Sequence, residues 1–349
     1  VAAWVAGDID QAIRLHHEQA SEFPRDLVSI KLGQYHCFNT GDCPGMLKLA
    51  LAAVPAAGEV PYLHGMLAFG YEQCHLMRNA ERSARHAIAM CRKEPWAHHA
   101  LAHVMLTEGR LSEGLAFMQD VRGTWTGLNS FMVTHNWWHV ALFLIDLGRD
   151  AEALDVYDRE VWGVVKDYSQ DQIGAASLLA RLELAGIDVG DRWQDLADHL
   201  TQRTRDQVLP FLDLQYLYGL ARAGRPEADL LLRNIETFAP KAPASTRAAW
   251  EHVCLPAAHG LMAHARGDAA GAVEALGLAL PRLVQIGGSH AQRDLFEQVY
   301  LDALVRAGTA TSLASAQGIL QQQLNGQPES LRLRRQTAAV YRSLGVNVA

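Results

Sequence analysis

A glycine turn followed five residues later by a small side chain recurs down this chain: Gly7 leads to Ala12, Gly109 to Gly114, Gly148 to Ala153 and Gly267 to Ala272. Gly41, Gly186, Gly224 and Gly308 mark further turns of the same kind. Gly7 and Gly41 are 34 residues apart, and Gly41 and Gly109 are 68 apart, two such periods with a degenerate unit around His75 between them. Later spacings are 39, 38, 38, 43 and 41, the surplus lying in connections such as 187–191 and 240–245. Over 134–147 the apolar residues Trp137, Val140, Ala141, Leu144 and Ile145 fall at helical spacing, and Ala153, Leu154 and Tyr157 continue the pattern beyond the turn. Each period therefore reads as two helices around a tight corner. One such pair cannot bury its own apolar stripe, so neighbours must stack.

The period is that of a tetratricopeptide helix pair. The expected fold is all-α, a right-handed superhelical solenoid of tetratricopeptide-type helix-turn-helix repeats running as a single array over 1–349. About eight to nine helical pairs fit, with the degenerate unit near 61–90, longer connections after 150 and a C-terminal cap from about 326. An apolar content of 49% supplies a continuous core, and a net charge of -7 without a basic block leaves no footprint for nucleic acid or an anionic membrane. The one concentrated basic stretch, Arg332, Arg334 and Arg335, is short. Five cysteines without a C-x-x-C pair argue against a disulfide framework or a thiolate zinc site and for a reducing, cytoplasmic setting. No run approaches the length needed to cross a bilayer, no signal pattern opens the chain, and a start without Met leaves room for an upstream segment.

The first helices of such pairs build the concave face, where ligands are normally held. Counting the turn glycine as fifteenth in its unit, groove-facing side chains fall at the second, fifth, ninth, twelfth and thirteenth positions. For Gly109 these are Trp96, His99, His103, Leu106 and Thr107; for Gly148 they are His135, Trp138, Leu142, Ile145 and Asp146. The degenerate unit contributes Gly65, Phe69, Glu72 and Gln73, with His64 beside the face. Other units add Lys31, Tyr35, Tyr218, Arg222, His264, Asp302 and Arg306. One stretch of wall thus gathers Glu72, His99, His103, His135 and Trp138.

Histidines four apart, His99 with His103 and His135 with His139, lie on one helix face and can share a divalent metal, with Glu72 completing the shell. Neither pair sits in H-E-x-x-H, and among sixteen histidines many must be structural, so no cofactor is predicted outright. Acid-base catalysis by His99, His103 and His135 oriented by Glu72 is a second reading, and histidines bonded to backbone or water a third. For His139, which the count places off the groove, the structural reading leads. Adjacent tryptophans point about 100° apart on a helix, so one of Trp137 and Trp138 packs inside while the other, by the count Trp138, faces the groove as an anchor. Further along, IGGSHAQRDLF (286–296) breaks at Gly287 and Gly288 and restarts on Ser289, a good N-cap. Amides there, with Gln292 and Arg293, could hold an anion; the alternative is a capped helix with an Arg293–Asp294 polar network.

HGMLAFGYEQ (64–73), WAHHALAHVMLTEGR (96–110), HNWWHVALFLIDLGR (135–149), SLLARLELAGIDVGDRW (177–193) and GGSHAQRDLFEQ (287–298) resemble the tetratricopeptide repeat protein 38 family and its bacterial members. The resemblance implies a cytosolic superhelical protein and says little about a reaction. It departs in FLDLQYLYGLARAGR (211–225), where the family pattern tends to have histidine in place of Gln215. The leading expectation is a binding protein whose His/Trp groove holds a peptide, protein or small polar-aromatic ligand through His64, Glu72, Trp96, His99, His103, His135, Trp138, Tyr218, Arg222, Ser289, Gln292, Arg293 and Asp294; an oligomer is compatible with it. The alternatives are a metal-dependent or acid-base enzyme and a structural adaptor.

Overall fold

The computed structural model describes residues 1–346, which are helical and, among those residues, without a strand. The chain begins with α1 (Ala2–Val5) against α2 (Ile9–Glu22), followed by α3 (Leu27–Thr40) with α4 (Cys43–Ala57) and α5 (Pro61–Gln73) with α6 (Met77–Met90). Then come α7 (Pro95–Thr107) with α8 (Leu111–Val121), α9 (Ser130–Asp146) with α10 (Asp150–Val156), α11 (Ser169–Leu184) with α12 (Arg192–Leu200) and α13 (Pro210–Arg222) with α14 (Glu227–Phe238). After α15 (Ala244–Ala249) follow α16 (Leu255–Ala265) with α17 (Ala269–Ala279), α18 (His290–Ala307) with α19 (Ala310–Gly326), and a last helix α20 (Leu331–Ser343). The molecule is an all-α solenoid of helical pairs.

Local chemistry starts and stops these helices where the sequence says it should. Asp8, Asp26, Asp42, Asn129 and Asp268 each accept a hydrogen bond from the amide three residues on, and proline stands in the first turn of α5, α7 and α13. All eight corner glycines, Gly7 to Gly308, have φ between 64° and 87°, a left-handed conformation that glycine adopts without cost. In the degenerate unit the same corner is turned by His75 at φ 57°. Small residues after the corners let each pair pack on its partner and on the next pair: a Cβ on Gly114 of α8 would stand 3.2 Å from Met105 Cβ on α7 and run into the Phe143 ring on α9.

The superhelix does not stay open. Its C-terminal part returns onto the corners of the earlier units, and those corners are the seats. A Cβ on Gly41 would lie 2.3 Å from the Val284 carbonyl oxygen, and one on Gly109 2.4 Å from that of Gly326. Next to Gly148, Arg335 pairs with Asp150, while Ser330 and Arg332 both donate to the buried Asp146. Helix α18 thereby lies across the inner wall, tied to α11 through Arg181, which bonds Asp294 and the carbonyl of Ala291. At the middle of the array the chain itself occupies part of the groove, leaving a cleft between α9 and α18.

One sequence expectation needs correction on membrane length. Ala269–Ile286 is 18 residues long with a mean hydropathy of 1.3, enough by length and composition to span a bilayer. Here it is α17 and a tighter turn, 280–286, and the face carrying Ala272, Leu276, Ala279, Leu283 and Ile286 is packed inside the solenoid.

The two demands on a corner glycine can be separated. Gly224 has φ 66° and open space around its would-be Cβ, whereas Gly109 has φ 69° and backbone in the way. Gly224→Ala is expected to cost about 1 kcal/mol for the left-handed backbone, and Gly109→Ala about 1–3 kcal/mol more for the blocked contact. Urea unfolding midpoints at constant m-value check this; equal losses would show that closure on the corner contributes nothing.

Candidate functional site

Three inner helices position the central side chains. Gly65 and Gly70 allow α5 to approach its neighbours: a Cβ at Gly65 would stand 2.8 Å from Glu94 Oε2, and one at Gly70 3.1 Å from Leu47 Cα. That approach brings Phe69 and Glu72 against α7, where His99 and His103 stand one turn apart with ring centroids 5.0 and 5.7 Å from Phe69. Helix α7 is buried from Ala97 to Leu106, and α9 over most of its length, because outer helices cover one side and α18 the other.

The result is a dry cluster of four imidazoles, His99, His103, His135 and His139, each offering a nitrogen within 4.8 Å of the others. His99 Nε2 lies 3.0 Å from His103 Nε2 and 3.1 Å from His135 Nε2. A ring nitrogen has one in-plane position, filled either by a proton or by a lone pair. His99 Nε2 therefore cannot make a linear bond to both neighbours. Neither nitrogen of His139 has a hydrogen-bond partner in the protein, nor does His99 Nδ1. Each such buried group costs about 1–3 kcal/mol. A cation among the nitrogens would satisfy one nitrogen of each ring.

Burial, followed by repulsion from neighbouring imidazoles, holds His99 and His139 well below the ordinary histidine pKa, and burial takes His135 down to about 3. Neutral imidazole is the form that ligates a metal. In a tetrahedral shell with bonds of 2.0–2.1 Å, nitrogens stand about 3.3 Å apart, so the observed 3.0 and 3.1 Å separations need only a small adjustment.

Beside the cluster is Glu72, fully buried on α5. Gln73 Nε2 donates to its Oε2 at 2.6 Å. Its Oε1 faces His103 Nδ1 at 3.3 Å and His290 Nε2 at 2.9 Å. Burial alone would raise this carboxyl, but the two imidazoles hold it well below the usual carboxylate range. Sequence reasoning missed His290: it lies 187 residues beyond His103 and reaches the site only because α18 folds back. The signal was present in the GGSHAQRDLF stretch but was read for its helix start.

On the opposite flank from Glu72, His99 and His135 border a cavity of about 70 Å³ with Lys31, Phe69, Trp96, Ser289 and Gln292. Lys31 Nζ sits 3.6 Å over the Trp96 ring, and its enclosure lowers its pKa to about 8. Tyr35 lines both this cavity and a larger cleft of about 690 Å³ walled by Trp4, Tyr168, Arg203, Asp213 and Trp250.

The remaining sequence candidates divide. Trp96, Ser289 and Gln292 meet at the small cavity. Trp138 does not project as an exposed anchor: it is 1% exposed, stacked on His135 at 5.3 Å with the guanidinium of Arg181 on α11 over its ring. His139, read as structural, belongs to the cluster. His64 is turned away, its Nε2–H donating to the Gly58 carbonyl at 2.8 Å. Tyr218 meets His264, which meets Asp302, and Arg222 pairs with Glu183, a separate polar network. The start of α18 is not an anion site: Ser289 and Gln292 close a capping box, Arg293 donates to the Gly288 carbonyl, and Asp294 pairs with Arg181 rather than with Arg293.

No protein-family model matches the chain. Among solved structures it is similar to a chain in the structure of Naa15/Naa10 bound to HypK-THB, at 13% identity and a TM-score of 0.32 over 97% of this chain and 54% of that one. The chain thus spans about half the length of that neighbour, and so distant a likeness carries no information on function.

Histidines held neutral inside the protein make the metal-free chain sensitive to acid. Once unfolded, His99, His135 and His139 take up protons below about pH 6.5, which the folded chain resists, so stability falls as pH drops from 6.5 towards about 3. The loss approaches about 1.4 kcal/mol per pH unit for each histidine. Urea unfolding of chelator-treated protein between pH 7 and 5 should show this decline, shallower in His135→Asn; a flat profile would mean the imidazoles titrate in the folded protein as they do in the unfolded chain.

Proposed function

We propose that this helical-repeat protein binds a first-row transition metal through His99, His103, His135 and His139, and that a small molecule reaches the metal from the cavity beneath Lys31 and Trp96. The observation that carries the reading is the convergence of four buried imidazoles, with His139 partnered at neither nitrogen. An all-imidazole donor set suits zinc, copper, iron or nickel rather than magnesium or calcium. A metal held by these imidazoles with a further position open towards the cavity would act as a Lewis acid and lower the pKa of a bound water, the chemistry expected of a metal-dependent enzyme.

The chain's own residues support the rest. Lys31, which feels the charge of Glu94, faces the cavity between the apolar rings of Phe69 and Trp96, so a small anion of a few heavy atoms fits the space. A peptide laid along the inner wall would have to displace α18, and for that reason the ligand is read as small. Metal-free acid-base catalysis is the weaker reading, since three of the imidazoles are held neutral and His139 has no partner to orient its proton. We also assign the chain to the relatives of tetratricopeptide repeat protein 38, on the stretches 64–73, 96–110 and 135–149 that hold these ligands, and to the cytoplasm.

Chelator-treated protein titrated with Co(II) is expected to develop visible absorption from nitrogen coordination. His99→Ala and His139→Leu should each weaken Co(II) affinity by about 10- to 100-fold or more, while His64→Ala leaves it unchanged. Absence of the band in the unaltered protein, or its persistence in His139→Leu, contradicts the assignment.

A further inference from the structure

The carboxylate beside the four-histidine cluster is more than a neighbour of His103. Glu72 Oε1 has imidazole nitrogens at 3.3 Å on one side and 2.9 Å on the other, yet it makes a hydrogen bond to neither, and His103 Nδ1 likewise has no hydrogen-bond partner. The distances suit contact, but the directions do not suit N–H···O bonds. Three donor atoms that face a common point without bonding one another are arranged as metal ligands are. Glu72 is also held for that purpose: Gln73 occupies Oε2 at 2.6 Å and leaves Oε1 as the free oxygen.

We propose a second metal position formed by Glu72, His103 and His290, sharing His103 with the four-histidine position so that the protein carries a pair of metal ions bridged by one imidazole ring. His103 is placed for this, its Nε2 directed at His99 at 3.0 Å and its Nδ1 at Glu72 at 3.3 Å. Binding through both nitrogens requires the ring to give up its one remaining proton to solvent, leaving an imidazolate between the ions. His290 Nε2 is held in the metal-free protein by a hydrogen bond with Thr107 Oγ1 at 3.0 Å, which an ion would replace. The donor set of one carboxylate and two imidazoles is harder than four imidazoles, so the two positions differ in preference. His290 borders a cleft of about 590 Å³ on the side away from Lys31 and Trp96, which gives the second ion its own approach. It also cross-links α5, α7 and the returning α18.

This proposal rests on the four-histidine reading, and the test separates the two. The full chain, stripped with chelator and reloaded with excess Cu(II), is desalted and its copper counted by mass spectrometry, alongside Glu72→Gln, His290→Asn and His139→Leu. Two ions per chain are expected in the unaltered protein and one in Glu72→Gln and in His290→Asn, with circular dichroism unchanged. Electron paramagnetic resonance of the two-copper form should be quenched by exchange through His103, and the signal of an isolated Cu(II) should appear in His290→Asn. One ion per chain, unaffected by Glu72→Gln and His290→Asn but lost in His139→Leu, overturns the second position and leaves the first. Two ions with no magnetic coupling overturn the bridge. No ion in the unaltered protein overturns both.

Discussion

Everything at the centre of this molecule depends on how Glu72 is accommodated. A carboxylate without solvent contact is tolerated only where positive or donor groups surround it, and here they come from two distant parts of the chain, His103 on α7 and His290 on α18. Removing either end leaves a buried charge uncompensated. The same contact therefore holds the returning helix in place and completes the donor set around His103.

The corners of the repeat make that return possible. Glycine at Gly41, Gly109 and Gly148 serves the left-handed turn and also leaves room for the next superhelical layer, whose Val284, Gly326 and Leu331 come to rest there. Closure converts an inner wall that would have been wet into an interior. With water excluded, imidazoles lose protons and polar atoms need partners, which the proposed metal would supply. The small cavity at Lys31 and Trp96 keeps one side of the cluster reachable.

Much of this was legible in the sequence, and the gaps have a common cause. The corner glycines set the period, and helical spacing alone paired His99 with His103 and His135 with His139, because both are local properties. The count also brought Glu72 to the same wall. It failed wherever the outcome depended on what covers that wall. Trp138, expected as an exposed anchor, is buried under Arg181 of α11; His139, expected off the groove, belongs to the imidazole cluster. His290 could not be placed, because no local pattern records that a helix 187 residues after His103 folds back onto it. His64 shows the limit in the other direction: a histidine in a distinctive stretch that merely meets a backbone carbonyl.

The central claim is that the buried imidazoles are a metal centre, and the most direct test is X-ray absorption fine structure at the zinc edge on protein loaded with a single equivalent. The expected result is a nearest shell of nitrogen at about 2.0–2.1 Å, with the outer-shell scattering of at least three imidazole rings, reduced by one ring in His139→Leu. A shell of oxygen or sulfur with no imidazole scattering would contradict it.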